Sequence, residues 1–356
     1  MYHWGMPIRL ATFNVENLFS RAKVLNLDSS EANDEVVAQV TRDAGTLRRI
    51  LRKVIYSPQD RTDVQEILDG PSGKFLAVEV DRGELFRGRT NEVIAGGRGD
   101  WYGRVSFRRT NIKDEATANT GRVIRALKAD AVCIVEVEDR DTLADFNSQV
   151  LASKKFKHVR VLEGIDPRGI DVGLLSNLET RDIRTHIDDP GAGGRPVFAR
   201  DCTEFEVMLP DGRGLWILCN HFTSKFSDQT GKRRRPQSER VAAILGRFNL
   251  AQDLVAVMGD LNDTHGSEAL APLLGRSNLH NVAEKIDDVG DRWTIEFRGQ
   301  REQIDYILAS SALMEHFAGV AIERRGMTAS ENRFPEVTSE ANAASDHAAM
   351  VAEFDL

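Results

Sequence analysis

Six places in this sequence end an apolar run on a carboxylate, an amide or an imidazole. They are Asn14-Val15-Glu16-Asn17, Val135-Glu136, Asn220-His221, Gly259-Asp260-Leu261-Asn262, Ile304-Asp305 and Ser345-Asp346-His347. Burying a carboxylate without a partner costs several kcal/mol, so a chain rarely repeats that arrangement without a reason. If these ends converge, they form a cup of Asp and Glu oxygens with two imidazoles beside it. Such oxygens suit a hard divalent cation, Mg²⁺ or Mn²⁺. A carboxylate-held cation beside His can neutralise phosphate charge, activate a water and supply a proton, which is the equipment of phosphoester hydrolysis. Each piece alone has a plainer reading: Asp-x-Asn is more often a turn or helix cap, and Ser-Asp-His an Asx turn. The combination, in this order, carries the chemistry.

The elements that must position these groups read as alternating helices and strands. A strand is predicted over 8–13, and residues 20 to about 110 follow without a motif. Within them Val36, Val37, Val40, Ala44, Leu47, Ile50, Leu51 and Val54 recur at helical spacing after a Ser29-Ser30 cap signal, with Pro58 beyond the end. Strands are predicted over 74–81 and 101–109, separated by glycine turns. Helices are then expected at 115–128, 140–152 and 236–250, and strands at 131–136, 157–162, 170–176, 202–208, 215–221, 254–258, 304–309 and 348–354. The stretch 188–196 reads as a loop. This order suggests a layered α/β domain with functional residues at strand ends.

Composition bounds the rest. The 356 residues carry 47 basic and 55 acidic side chains, a net charge of −8, with 41% hydrophobic and 29% charged residues. These values exclude global disorder, a collagen-like repeat and a disulfide scaffold. No run approaches the ~18 apolar residues of a membrane span, so no integral membrane association is expected. The acidic balance speaks against a nucleic-acid coat protein, but not against an enzyme that meets nucleic acid in one cleft. Cys133, Cys202 and Cys219 show no Cys-x-x-Cys spacing and read as small core residues. The N-terminus lacks the basic and apolar regions of a signal peptide, so a cytoplasmic setting is expected, although a secreted protein trimmed of its leader would look the same.

The motifs together resemble the endonuclease/exonuclease/phosphatase superfamily, the deoxyribonuclease-I-like fold. The resemblance runs through 8–19 and 115–354. It is carried by Thr12-Phe13-Asn14-Val15-Glu16-Asn17, Ala129-Asp130-Ala131-Val132-Cys133-Ile134-Val135-Glu136, Gly259-Asp260-Leu261-Asn262-Asp263, Gln303-Ile304-Asp305-Tyr306-Ile307-Leu308 and Ser345-Asp346-His347. The segments around Asn14 and His221 look most like the bacterial extracellular-nuclease branch. The resemblance implies a four-layered α/β sandwich of two packed mixed β-sheets flanked by helices. It implies one such domain over 1–356, with an insertion of unknown role at about 20–110.

The same resemblance implies the roles. Glu136 matches the principal metal-binding Glu, with Asn14, Glu16 and Asp346 as further metal-side groups. Asp260 and Asn262 match the pair that positions the attacking water and binds phosphate. His347 matches the catalytic His, Asp305 the carboxylate that holds it, and His221 the second His, with Asp171 a candidate for orienting His221. Val135 departs from the family, which usually places Gln there. The expected activity is metal-dependent hydrolysis of nucleic acid, DNA before RNA, using Mg²⁺ or Mn²⁺. The alternative is a phosphatase or phosphodiesterase of a small phosphorylated metabolite or lipid headgroup. Arg301-Glu302-Gln303-Ile304-Asp305 lacks the Pro-x-x-Cys-Asp-Arg sequence of inositol polyphosphate 5-phosphatases. Two basic groups, Lys225 with 232–235 and Arg104 with Arg108 and Arg109, are candidates for phosphate contacts. No protein partner is expected, and the chain reads as a monomer.

Overall fold

The computed structural model describes residues 7–18, 34–108, 115–166, 169–225 and 227–356. The strands are β1 (Pro7–Leu18), β2 (Leu76–Gly83), β3 (Trp101–Phe107), β4 (Ala131–Val137), β5 (His158–Leu162), β6 (Asp171–Ser176), β7 (Thr180–Arg184) and β8 (Cys202–Met208). They continue as β9 (Gly214–His221), β10 (Val255–Asp260), β11 (Leu279–Asn281), β12 (Ile295–Phe297), β13 (Gln300–Glu302), β14 (Asp305–Ser310), β15 (Phe317–Glu323) and β16 (Ala349–Asp355). The main helices are α1 (Asp34–Leu51), α2 (Pro58–Asp69), α3 (Glu115–Leu127), α4 (Arg140–Phe146) and α5 (Arg234–Leu245). The chain divides into two compact units, one of Met1–Phe19 with Ile112–Leu356 and one of Ser20–Asn111.

In the larger unit two six-stranded mixed sheets stack face to face. Their orders are β15-β16-β1-β4-β6-β5 and β11-β14-β10-β9-β8-β7. Each has one parallel pair, β1 with β4 and β9 with β10, among antiparallel neighbours. Strict alternation of side chains builds the layers. Leu10, Cys133 and Val135 of the first sheet meet Ile217, Cys219, Met258 and Ile307 of the second in one buried cluster. The intervening residues face outward: Phe13, Val132 and Ile134 pack under α3 and α4, and Leu218, Val257 and Leu308 under α5. The result is the four-layered sandwich expected, helices outside and sheets within. All three cysteines are buried and free.

The smaller unit has its own core, in which Val40, Ala44, Leu47 and Ile50 of α1 meet Val64, Leu76 and Trp101. Helix α2 was not expected, because Pro58 reads as a stop for the preceding helix. Instead Pro58 occupies the first turn of a new one, capped by a reciprocal pair in which Ser57 Oγ accepts from Asp60 N and Asp60 accepts from Ser57 N. The expected Ser29-Ser30 cap and Arg109 lie outside the described residues. Helix α5 begins at Arg234 rather than 236, because the Asp228 carboxylate accepts the N–H groups of Arg233 and Arg234 at 2.9 and 3.0 Å and draws them into the first turn. Among the described residues no helix is long and apolar enough to cross a membrane.

Candidate active site

The site is the end of the inter-sheet core, where the apolar ladder turns polar without changing face. Asn14 continues the inward face of Leu10, His221 that of Cys219, Asp260 that of Met258, and Asp305 that of Ile307. Pairing register then sets three of them side by side: Asp260 lies opposite Asp305 on one flank and His221 on the other. Gly259 allows the close strand approach. Its φ is +132°, and a Cβ there would stand 1.9 Å from Asn220 O.

Glu136 obeys a different rule. Alternation along β4 would send it outward with Val132 and Ile134. Instead the register shifts between Val135 and Val137, and Glu136 takes φ 68°. Such a bulge re-aims one side chain. Its carboxylate reaches the second sheet, with Oε1 3.7 Å from His221 Nε2. The neighbouring β1 shifts register after Asn14, and Glu16 there has φ 50°. Paired irregularities on two parallel neighbours thus lift both acids out of the sheet pattern. Left-handed backbone at non-glycine residues concentrates at functional sites, and Asn262, at φ 54°, is a third case.

Hydrogen bonds tie the groups together. Asp260 Oδ2 accepts from Asn14 Nδ2 at 3.2 Å and Asn262 Nδ2 at 2.9 Å, while Oδ1 accepts from Asn262 N at 2.8 Å. His221 Nε2 stands 3.6 Å from Asp260 Oδ2. His347 Nδ1 and Asp305 Oδ2 are 2.8 Å apart, both buried. Glu16 accepts from Asp346 N at 2.9 Å and so joins the first strand to the last motif. Two joints were not foreseen. Ser345 Oγ donates to Asn14 O and accepts from His347 N. Thr294 Oγ1 accepts from the N–H groups of Ile304 and Asp305, anchoring the start of β14. Ser345 was visible as the first letter of its motif, whereas Thr294 carries no signal in the sequence.

Burial and charge shift the titrations. Burial, followed by the nearby Asp305 charge, pushes Asp260 up to about 7, against the opposing pull of His347 and the Asn262 N–H. Burial alone would lower His347, but the Asp305 charge and hydrogen bond, with Asp260 and Asp346, hold it well above the ordinary histidine value. Glu16 is raised by burial and then by the Asp346 charge, with Glu136 adding to the rise. Asp260 and Glu16 are thus each raised first by burial and then by neighbouring acids, Asp305, Asp346 and Glu136, which is a place where a cation would be stabilised.

All nine predicted site residues gather here. Asp260, Asp305 and His347 are, among the described residues, the one group of His, Cys, Asp or Glu whose ligand atoms all lie within 4.8 Å of one another. The Oδ1 of Asp305 is buried without a hydrogen-bond partner. Asp171 Oδ1 accepts from Gly164 N at 2.7 Å, and burial pushes its carboxyl up to about 6.

The basic candidates divide. Arg234 is buried and structural, with Nε 3.0 Å from Asp263 Oδ2 and NH1 donating to Thr223 O. Lys225 pairs with Glu302, and Arg235 with Glu239. Lys232 and Arg233 keep exposed side chains. In the smaller unit Arg104 pairs with Glu79, and Arg108 donates to Leu76 O.

A family model of the Endonuclease/Exonuclease/phosphatase family matches residues 111–347. The chain belongs to that family. A structure of a family member from Bacteroides vulgatus aligns with a TM-score of 0.54 at 14% identity over 99% of both chains. One from Bacteroides thetaiotaomicron gives 0.53 at 12% identity over 99% of both. Truncated Caenorhabditis elegans TDP2 gives 0.48 at 18% identity, over 67% of this chain and 89% of that one. The two Bacteroides structures share the fold described here. No curated protein sequence matches the chain.

Proposed function

We propose that the protein is a metal-dependent phosphodiesterase that hydrolyses nucleic acid, DNA in preference to RNA. One observation carries the reading: Asp260–Asn262, the Asp305–His347 pair, His221 and Glu136 converge at one end of the two sheets, joined by contacts of 2.8 to 3.7 Å. A Mg²⁺ or Mn²⁺ ion, held by Glu136 with Asn14, Glu16 and Asp346, would neutralise phosphate charge. The donor set fits: all are hard oxygens, and Glu16 is raised by burial and then by the charges of Asp346 and Glu136. Asp305 and Asp260 are assigned to protons, since Asp305 Oδ2 pairs with His347 and Asp260 accepts from Asn14 and Asn262.

Within that arrangement each side chain has one task. Asp260, poised near neutrality, takes a proton from the attacking water. Asn262 donates to a phosphoryl oxygen and adds no repulsive charge. Asp305 fixes the ring of His347 and favours its protonated form, which stabilises charge building on the phosphoryl group. His221, between Glu136 and Asp260, is the second imidazole at the phosphate-facing end. In-line attack would leave a 5′-phosphate and a 3′-hydroxyl. Lys232 and Arg233, exposed in the segment after β9, support a polyanionic substrate.

The test is a substrate panel. Labelled single- and double-stranded DNA, RNA and a set of phosphomonoesters are incubated with Mg²⁺, Mn²⁺ or EDTA. Metal-dependent cleavage of a polynucleotide is expected. Turnover confined to phosphomonoesters would move the assignment to the small-metabolite alternative.

A further inference from the structure

Nothing in the family match accounts for the unit Ser20–Asn111, and within it four guanidinium groups gather around one pocket. A pocket of about 180 Å³ there is lined by Arg48, Arg52, Arg98 and Arg104 around Trp101. Arg48 and Arg52 lie one turn apart near the end of α1, where the helix dipole alone would favour cations. That plain reading does not reach Arg98 and Arg104, which come from the segment before β3 and from β3 itself.

The pocket is built rather than incidental. The indole of Trp101 is buried and its Nε1 donates to Tyr56 OH at 2.9 Å, while Tyr56 OH donates to Leu51 O. Gly103 makes room for the ring: a Cβ there would stand 2.9 Å from the indole. Arg98 stacks on Trp101 with its guanidinium carbon 4.4 Å from the ring centre, and reaches the exposed Tyr102 ring at 5.4 Å. A stacked guanidinium keeps its edge free for hydrogen bonding. One of its terminal nitrogens donates to Gly103 O. Among the described residues the ion pairs give these four arginines a single acid, Glu79 opposite Arg104. Asp100, the adjoining acid, is engaged by Gly96 N.

Arginines gathered without matching acids suit phosphate, and an exposed tyrosine beside them suits a base. We propose that this pocket binds the phosphates of a single polynucleotide strand, with Tyr102 stacking a base, as a site separate from the catalytic residues. The inference rests on nucleic acid being the substrate class, but its test does not depend on cleavage.

The assay is fluorescence anisotropy of labelled dT20 with the full chain in EDTA, for wild type, Arg48→Ala/Arg52→Ala and Tyr102→Ala. Both arginines are exposed, so the double variant is expected to fold, with an unchanged melting temperature as the check. It should lose roughly tenfold in affinity, and the log–log salt slope should shrink by about 1.4 for two single-strand phosphate contacts. Tyr102→Ala should weaken binding with the slope unchanged. Hydrolysis of bis-p-nitrophenyl phosphate should be unaltered in both variants. Wild-type affinity and slope in the double variant would overturn the inference while leaving the catalytic reading intact. Failure of wild type to bind dT20 at low salt would also overturn it, as would displacement of dT20 by inorganic pyrophosphate at equal phosphate concentration, which would make this a small-anion pocket. Failure to cleave any polynucleotide with dT20 binding retained would instead remove the catalytic reading alone.

Discussion

Asp260→Asn should make the metal-free protein more stable at alkaline pH while disabling it. The wild-type carboxyl is buried beside Asp305 and is pushed from an ordinary 3.8 up to about 7. In the folded state it therefore holds its proton more tightly than in the unfolded chain. Between about pH 4 and 7 the unfolded chain releases that proton first, so stability falls through this window and levels off above it. Three pH units at about 1.36 kcal/mol each give a penalty on the order of 4 kcal/mol at pH 8. The amide variant escapes this. It loses one hydrogen bond, since Asn14 Nδ2 and Asn262 Nδ2 both donate to Oδ2 and the Asn262 N–H also needs an acceptor, at about 1 kcal/mol. A net gain of roughly 3 kcal/mol at pH 8 and a slight loss at pH 4 are expected. Urea unfolding in EDTA from pH 4 to 8.5 measures both proteins. Parallel curves across that range would refute the electrostatic reasoning.

Other substitutions have equally definite outcomes. Glu136→Ala should lower metal-dependent turnover at least about a thousandfold and weaken Mg²⁺ or Mn²⁺ binding by calorimetry, with the fold retained. Asp305→Ala and His347→Ala should each cost a similar factor, and the double variant should be little worse than either, because the two act as one unit; additive losses in the cycle would separate them. Lys232→Ala/Arg233→Ala should raise KM for a long polynucleotide and flatten its salt dependence, with bis-p-nitrophenyl phosphate turnover unchanged. Arg234→Ala should instead destabilise the protein by about 3 kcal/mol, since it removes the buried cation that faces the Asp228 and Asp263 carboxylates.

Much of the site was legible because each strand ends in a polar residue on the face its apolar neighbours already define. Leu215, Ile217 and Cys219 announce where His221 points, and Ala256 and Met258 announce Asp260. Glu136 was found by resemblance to a motif, while its direction was invisible: alternation places it outward, and only the bulge turns it in. The missed elements fail for physical reasons too. Helix α2 buries only Asp60 and Val64, so it leaves almost no apolar stripe. Strand β15 has no fully buried residue and thus no core-like run. The fourfold arginine pocket draws from residues 48 to 104, a grouping that spacing along the chain does not reveal.

The most direct measurement follows a 5′-unlabelled, internally labelled DNA oligonucleotide with wild type and Glu136→Ala, each with Mg²⁺ and with excess EDTA, and identifies the new ends. The account predicts cleavage by wild type with Mg²⁺ alone, leaving 5′-phosphate and 3′-hydroxyl ends, and none in the other three reactions. Cleavage by wild type in EDTA, or by the variant at the wild-type rate, would contradict it.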